Sequence, residues 1–287
     1  MVRCPTGGPV IGSLAVDSAG FRTRLAAAAG VPGTASAEPL RGTVVSLPDV
    51  ALAELTASAA DFVWIDLEHG ALCARDVAPL AIAARAAGAG CLVRVSADDP
   101  ALGPALDAGV DGVVLPRVET PSQAEAAVER LRYPPRGSRG LAARRASAYG
   151  LDPRGEPEDP VCMVQVESAR AVAAAEAIAA VEGVDALVVG CSDLALDMGV
   201  DPGTGSGELR DAIARVQRSC AATRRVSGVA GPDDPDLLTE LAGGRSALLV
   251  LGADVRIYAR ALGDAIGRPR GEPAPEAPEL EEAHVRT

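Results

Sequence analysis

One of the chain's two histidines stands in a short acidic run. Residues 66–70 read D-L-E-H-G, so His69 follows Glu68 directly and lies three residues after Asp66. An imidazole oriented by a carboxylate can move a proton near neutral pH. A lone histidine is more commonly a structural residue, but this one follows F-V-W-I, a run typical of a buried strand. The stretch therefore predicts a proton-transfer site at the end of a strand.

Four more polar residues lie within or just after apolar runs. L-V-R-V contains Arg94, Q-V-E places Gln165 and Glu167 on one face of a strand, and G-C-S-D-L contains Asp193. Taken singly, Arg94 could pair with a buried carboxylate and Asp193 could cap a helix. Charged residues at the ends of several buried strands usually bind one another or a ligand. Because several such residues occur at the ends of different strands, an active site is the favoured interpretation.

The two acidic residues of this set suit a divalent cation. Glu167 and Asp193 offer oxygen ligands without a Cys or His partner, which favours Mg²⁺ or Mn²⁺ over zinc. An incompletely ligated cation polarises a carbonyl group as a Lewis acid. Glu68 could then bind a metal-bound water, and Arg94 could stabilise the oxygen of a developing enolate. These residue types together predict a metal-dependent aldolase.

Composition excludes several other classes of function. All 27 residues counted as Lys+Arg are arginine, so Schiff-base chemistry by a lysine aldolase or a pyridoxal-phosphate enzyme is excluded. The net charge of -12 and the lack of a basic stripe argue against nucleic acid as a partner. No apolar stretch long enough for a membrane span and no export-signal pattern is found. Six scattered cysteines without a C-x-x-C pair predict reduced thiols in a cytoplasmic protein.

The elements that must position these residues follow a regular alternation from Arg41 onward. Ala-rich segments of helical period separate eight short apolar runs, at 42–47, 62–66, 91–95, 112–116, 162–167, 186–190, 226–231 and 247–252. This alternation is typical of parallel βα units, and eight units predict a TIM (β/α)8 barrel. An open doubly wound sheet is the alternative, although no G-x-G-x-x-G follows the first strand.

The barrel is expected to occupy residues 41–266. Residues 1–40 then form an N-terminal extension with a short helix near 22–29 and a linker. Residues 267–287 are rich in Pro and Glu, which predicts a disordered tail.

Six motifs, in chain order, resemble those of the HpcH/HpaI aldolase family. They are V-W-I-D-L-E-H-G, L-V-R-V, L-D-A-G-V-D-G-V-V-L-P-R-V-E-T, R-Y-P-P-R-G-S-R-G, V-Q-V-E-S and G-V-D-A-L-V-V-G-C-S-D-L. The resemblance implies a TIM barrel, a divalent metal, and cleavage of a 4-hydroxy-2-oxo acid to pyruvate (or a related 2-oxo acid) and an aldehyde. It also implies a homohexamer, a trimer of dimers that exchange a C-terminal helix.

The same resemblance assigns catalytic roles to four residues. His69 matches the family's catalytic base, Asp66 its partner, and Arg94 the residue that stabilises the pyruvate enolate. Asp107, in L-D-A-G, matches an acid that supports the basicity of the histidine. Residues 141–160 match loops that help to shape the aldehyde side of the pocket.

Ligand-binding roles follow in the same way. Glu167 and Asp193 match the metal ligands, with Mg²⁺ or Mn²⁺ expected and Co²⁺ as a further option. Gln165 and the backbone at Ser192 match positions that hold the pyruvate moiety. The chain has Cys191-Ser192 where relatives commonly have Pro followed by Ala or Asn, but the metal-ligand aspartate is present.

Other functions are possible on the same framework. A related enzyme that forms C–C bonds or decarboxylates, such as a citrate-synthase-like condensation from oxaloacetate, is the main alternative, since the loops at 141–160 are short. A citryl- or malyl-CoA lyase is disfavoured because D-x-E-H belongs to the aldolase branch and no basic cluster for CoA phosphates is present. A barrel without activity would not need the complete acid, base and metal-ligand set.

Overall fold

Eight parallel strands close into a barrel in the order of the sequence. The structure, a computed structural model, describes residues 18–29, 38–151, 158–201 and 205–267. The strands are β1 Leu40–Val45, β2 Phe62–Asp66, β3 Gly90–Arg94, β4 Gly112–Leu115, β5 Val161–Val166, β6 Ala186–Gly190, β7 Val226–Ala230 and β8 Leu248–Ala253. Pairing of β8 with β1 closes the barrel. The predicted TIM barrel is therefore confirmed, and the open sheet is excluded.

One helix precedes β1, one follows β8, and the others lie between the strands on the outside of the barrel. They are α1 Ser18–Ala28, α2 Val50–Ser58, α3 Ala74–Ala86, α4 Leu102–Asp107, α5 Pro121–Leu131, α6 Ala169–Ala179, α7 Cys191–Asp197, α8 Gly207–Thr223, α9 Pro235–Ala242 and α10 Asp254–Ala265. Their ends follow local signals, such as the capping box of Thr120 and Gln123 before α5. Within the described ranges, none of these helices combines the length and hydropathy needed to cross a bilayer.

The core has an inner and an outer layer. Trp64, Leu92 and Met163 fill the inside of the barrel, and Val, Leu, Ile and Ala side chains pack between the strands and the outer helices. With 2% aromatic residues, the sequence builds this core mainly from aliphatic side chains. The strands are buried along almost their whole length, so polar side chains are admitted mainly where the strands end.

Helix α1 covers the amino-terminal end of the barrel. Phe21 is 2% exposed, and its ring packs edge-on against Phe62 with centroids 6.1 Å apart. A Cβ atom on Gly90 would lie 2.5 Å from the Phe21 ring, so this strand start must be glycine for the helix to fit. Arg22 Nε lies 3.0 Å from Asp185 Oδ1, just before β6. The predicted helix near 22–29 therefore exists and joins the barrel core, whereas the linker at 30–37 and the tail at 268–287 lie outside the described residues.

Candidate active site

The predicted site residues meet at the carboxyl ends of the strands. Asp66 ends β2 and Arg94 ends β3, and the two face each other in the strand register. Glu167 follows β5 directly, and Asp193 lies in the first turn of α7, which begins where β6 ends. This is the end of a (β/α)8 barrel at which active sites form.

Asp66 and Arg94 form a buried, two-point ion pair. Arg94 Nε donates to Asp66 Oδ1 over 2.8 Å, and Nη2 donates to Oδ2 over 2.6 Å. The guanidinium lies 5.5 Å above the Trp64 ring. Burial acts to lower the pKa of Arg94, but the hydrogen bonds and charge of Asp66 outweigh it, so that the pKa is raised. Arg94 is therefore the partner of a buried carboxylate, as the structural interpretation predicted. The two hydrogen bonds hold the charged guanidinium in place at the carboxyl end of the barrel.

Asp66 contacts His69 through the backbone. Its Oδ1 atom accepts the backbone N–H groups of Glu68 (3.0 Å) and His69 (3.3 Å), so it holds the turn that carries the imidazole. The carboxylate that faces the ring is Glu68, whose Oε2 lies 3.7 Å from His69 Nε2 and 3.4 Å from Arg94 Nε. His69 is 55% exposed and is therefore accessible to a substrate.

Arg117 connects the two outer carboxylates, a contact that the sequence did not predict. Its Nε atom donates to Glu68 Oε1 and its backbone N–H to Glu167 Oε2, both over 3.1 Å. Its φ of 56° is a left-handed conformation that costs a residue with a Cβ atom about 1 kcal/mol. Such strained backbone is concentrated at functional sites.

Glu167 lies in a strongly acidic environment. Burial, together with the charges of Glu68 and Asp193, raises its pKa to about 7, against the lowering effect of the Arg117 N–H and Arg94. A Cβ atom on Gly190 would lie 2.8 Å from Gln165 Nε2 and 3.0 Å from Glu167 Cγ. The glycine at the end of β6 thus leaves the space that these two side chains occupy.

These residues fit a divalent cation that keeps part of its water shell. Within the described ranges, no group of three His, Cys, Asp or Glu side chains is arranged to hold a metal alone. Glu167 and Asp193 are two oxygen donors, and Mg²⁺ commonly takes one or two carboxylates and completes its shell with water and substrate. Among the residues that the structure describes, two further oxygens, Glu68 Oε2 and Gln165 Oε1, are buried without a hydrogen-bond partner, although Glu68 Oε2 lies 3.4 Å from Arg94 Nε. A cation and its waters would satisfy such groups.

Two cavities open on either side of His69 and Asp193. The inner cavity, of about 340 Å³, is lined by Arg94, Gln165, Ser192, Gly231, Asp233 and Arg256 among others. The side cavity, of about 430 Å³, is lined by Glu68, Arg117, Glu119, Glu167 and Asp197 among others. In the inner cavity, a Cβ atom on Gly231 would lie 3.3 Å from Ser192 Oγ and 3.6 Å from Ser192 N, so glycine keeps the first amide groups of α7 open.

Two expectations about the pocket are not met within the chain. Asp107 ends α4 shortly before β4 begins, so it lies toward the amino-terminal end of the barrel, where Arg139 Nη2 is 3.6 Å from its Oδ1 atom. It therefore does not support His69 in the same chain. Residues 141–151 and 158–160 precede β5 and lie at that same end, so within one chain they do not shape the aldehyde side.

Residues after β7 and β8 were also missed. Asp233 and Arg256 line the inner cavity and approach each other within 2.6 Å. Both residues come shortly after a strand end, at the edge of the barrel where Asp66 and Arg94 end their own strands, and that position in the sequence was the signal that could have found them.

Comparison with known proteins gives consistent matches. The family model of the HpcH/HpaI aldolase/citrate lyase family matches residues 46–246. The 4-hydroxy-2-oxovalerate aldolase of Rhodococcus jostii (strain RHA1) is 34% identical over 76% of this chain and 87% of the relative. The crystal structure of an HpcH/HpaI aldolase/citrate lyase family protein from Burkholderia cenocepacia J2315 is 33% identical, with a TM-score of 0.77 over 86% of this chain and 98% of that chain. The crystal structure of citrate synthase SbnG is 28% identical, with a TM-score of 0.68 over 80% and 92%.

Proposed function

The chain belongs to the HpcH/HpaI aldolase/citrate lyase family, and on that basis we propose that it is a metal-dependent aldolase. The reaction is the reversible cleavage of a 4-hydroxy-2-oxo acid to pyruvate, or a close 2-oxo acid, and an aldehyde. The observation that carries this proposal is the convergence of Glu167 and Asp193 beside His69 and Arg94 at the carboxyl end of the barrel.

Glu167 and Asp193 would hold the cation, Mg²⁺ or Mn²⁺, with Co²⁺ as a substitute. When bound, it would polarise the keto group of the substrate as a Lewis acid. The open amide groups at Ser192 and the side-chain amide of Gln165 would bind the 2-oxo acid end, since both line the inner cavity. The chain contains no lysine, so no lysine amine can form a Schiff base with the carbonyl group.

Proton transfer is assigned to His69. The imidazole takes the proton of the C4 hydroxyl, the C4–O bond becomes the carbonyl of the aldehyde, and the electrons of the C3–C4 bond move into the 2-oxo acid half. Arg94, held in place by Asp66, stabilises the negative charge that develops on the enolate oxygen. Glu68 faces the imidazole and stabilises it while it carries the proton. Protonation of C3 then yields pyruvate.

A condensation reaction is the second candidate. The same enolate could attack a second carbonyl compound instead of being protonated, and the 28% identity to a citrate synthase favours this option. Oxaloacetate discriminates between the two. The aldolase proposal predicts only pyruvate and CO₂ from oxaloacetate alone, and an aldol product when an aldehyde is added with pyruvate. Formation of a tricarboxylic acid from oxaloacetate, with no aldol product from any aldehyde, would instead establish the condensation.

A dimer that exchanges its last helix is part of the proposal. Helix α10 exposes Tyr258 (61%) and Leu262 (44%). A groove of about 550 Å³ is lined by apolar side chains of α2, α9 and β8, including Leu52, Leu55 and Leu238, and on one side by Ile257, Tyr258 and Ala261 of α10 itself. The apolar face of a partner's α10 has the character needed to fill it, and three such dimers would form the expected hexamer.

The chemistry of the thiols agrees with a reducing, cytoplasmic setting. Among the described residues, five cysteines are free, and four of them are buried. Burial raises the pKa of the Cys191 and Cys220 thiols to about 12, so these groups stay protonated and unreactive.

A further inference from the structure

A cavity of about 440 Å³ opens at the amino-terminal end of the barrel, at the opposite end from the candidate active site. It lies between α8 and α9, where the neighbouring strands β7, β8 and β1 begin. Each of these strands brings an arginine to the cavity close to its start, namely Arg225, Arg245 and Arg41. Among the described residues that line the cavity, there is no aspartate or glutamate. In a chain with a net charge of -12, this cavity is a local concentration of positive charge.

The three arginines are not neutralised by the protein. Within the described ranges, none of their side chains forms an ion pair with an acidic residue. Arg225 is half-buried, and its Nε atom donates over 3.1 Å to a backbone carbonyl at the end of α6, which holds the side chain in place without cancelling its charge. Asp61 accepts only the backbone N–H of Arg41, and its side chain is paired with Arg24. The positive charge of the cavity is therefore available to a ligand.

Buried polar groups also line this cavity. Gln217 and Ser246 are 8% and 7% exposed, and Gln217 Nε2 donates to Ser246 Oγ over 3.0 Å. Because the Ser246 oxygen is already an acceptor, its hydroxyl proton can be donated to a ligand. Gly244, which precedes Arg245, has a φ of 67°, and a Cβ atom on it would meet nothing within 4 Å. The turn that carries Arg245 and Ser246 thus leaves the cavity open in front of these donors.

We propose that this cavity is a second ligand site, separate from the active site, and that it binds a compact polyanion of the diphosphate class. A guanidinium group donates two parallel hydrogen bonds to phosphate oxygens, and it keeps its charge at any physiological pH. Three unpaired guanidinium groups around one cavity exceed what a single carboxylate can neutralise. A diphosphate group carries several negative charges and enough acceptor oxygens for the arginines and the Ser246 hydroxyl together. The site does not depend on the reaction at the other end of the barrel.

The test is a calorimetric titration of the full chain with inorganic pyrophosphate. Divalent cations are first removed by chelation, so that a cation in the active site cannot bind the probe. We expect saturable binding of one equivalent with a Kd of about 1 mM or below. R245M should raise this Kd by about tenfold or more, because a charge-assisted hydrogen bond is lost. S246A leaves the charge unchanged and should raise the Kd by about fivefold through loss of the hydroxyl donor.

The matched control is R224M. Arg224 is an exposed neighbour of Arg225 that does not line the cavity, so its removal lowers the net charge equally and should change the Kd by less than about twofold. R41M tests a second arginine on a different strand, should R245M fail to fold. No saturable binding to the wild type, or an equal loss of affinity in R245M and R224M, would overturn the inference.

Discussion

At the scale of single residues, the site depends on where side chains are absent as well as on where they are present. Gly190 has a φ of -82°, which any residue can adopt, so its backbone does not require glycine. What requires it is the space taken by Gln165 and Glu167. Since Glu167 is one of the two expected metal ligands, the glycine acts on the cation through the position of that carboxylate.

Substitution G190A is therefore expected to weaken metal binding with little effect on the backbone. The added methyl group must displace Glu167 or Gln165, since overpacking of this kind costs about 1 kcal/mol or more in strain. If that strain is relieved by moving the Glu167 carboxylate away from the cation, the Kd for Mn²⁺ rises by about fivefold or more. Titration calorimetry with Mn²⁺ measures the change in Kd. The control is G103A, since a Cβ atom on Gly103 would meet nothing within 4 Å. Equal Kd values for G190A and wild type would contradict the expectation that Gly190 acts on the cation through the position of Glu167.

At the scale of the elements, the sequence predicted the strands well because buried parallel strands are continuous apolar runs. The segment Val161–Val166 is an example, buried at every position. Chain order then predicted that Asp66, Arg94 and Glu167 share one end of the barrel. It also places Asp107, on a helix that leads into a strand, at the other end, so the expectation for that residue depended on motif matching alone.

Contacts between distant segments were not predictable in the same way. Asp66 is followed closely by His69 in the sequence, but the strand register pairs its carboxylate with Arg94, 28 residues away. Glu68 faces the imidazole instead. The contact of Arg117 with Glu167 depends on a left-handed backbone at a residue with a long side chain, for which no sequence pattern exists. Helix α1 was predicted, but no pattern in its sequence shows which surface it covers.

Helix α1 is expected to contribute to the stability of the whole barrel. Substitution F21A removes a side chain that is buried against Phe62 and Gly90, and truncation of a buried Phe costs about 3–5 kcal/mol in the free energy of unfolding. Urea denaturation measures the loss. L141A is the control, because Leu141 is 71% exposed and its truncation should cost less than about 0.5 kcal/mol. If F21A costs no more than L141A, residues 1–40 are a separable extension, as the sequence suggested.

At the scale of the whole molecule, the feature that points to an assembly is the apolar groove beside α10. The groove between α2 and α9 is lined by leucines, and α10 exposes its own apolar side chains next to it. The helix that follows the eighth strand, α10, forms one wall of this groove through Ile257, Tyr258 and Ala261. The proposed exchange would fill it with a helix from the partner, which joins two barrels while each keeps a complete active site.

A charge in the groove is therefore expected to reduce the size of the assembly. Leu55 is 67% exposed and lines the groove, so L55E should shift the mass measured by light scattering after size-exclusion chromatography toward the monomer. I82E is the matched control, since Ile82 is 47% exposed on α3, away from the groove. A monomeric wild type, or an unchanged mass for L55E, would contradict the exchanged dimer.

The central claim, that a cation held by Glu167 and Asp193 activates a bound 2-oxo acid, is tested most directly by proton exchange at the methyl group of pyruvate. ¹H NMR in D₂O follows loss of the methyl signal with native enzyme, with exhaustively chelated enzyme, and after Mn²⁺ is returned, beside the variant E167Q. We predict that chelation slows exchange by about a hundredfold or more, that Mn²⁺ restores it in the wild type, and that E167Q stays slow at the same Mn²⁺ concentration. Exchange that continues at the native rate after chelation, or that is unaffected in E167Q, would contradict the account.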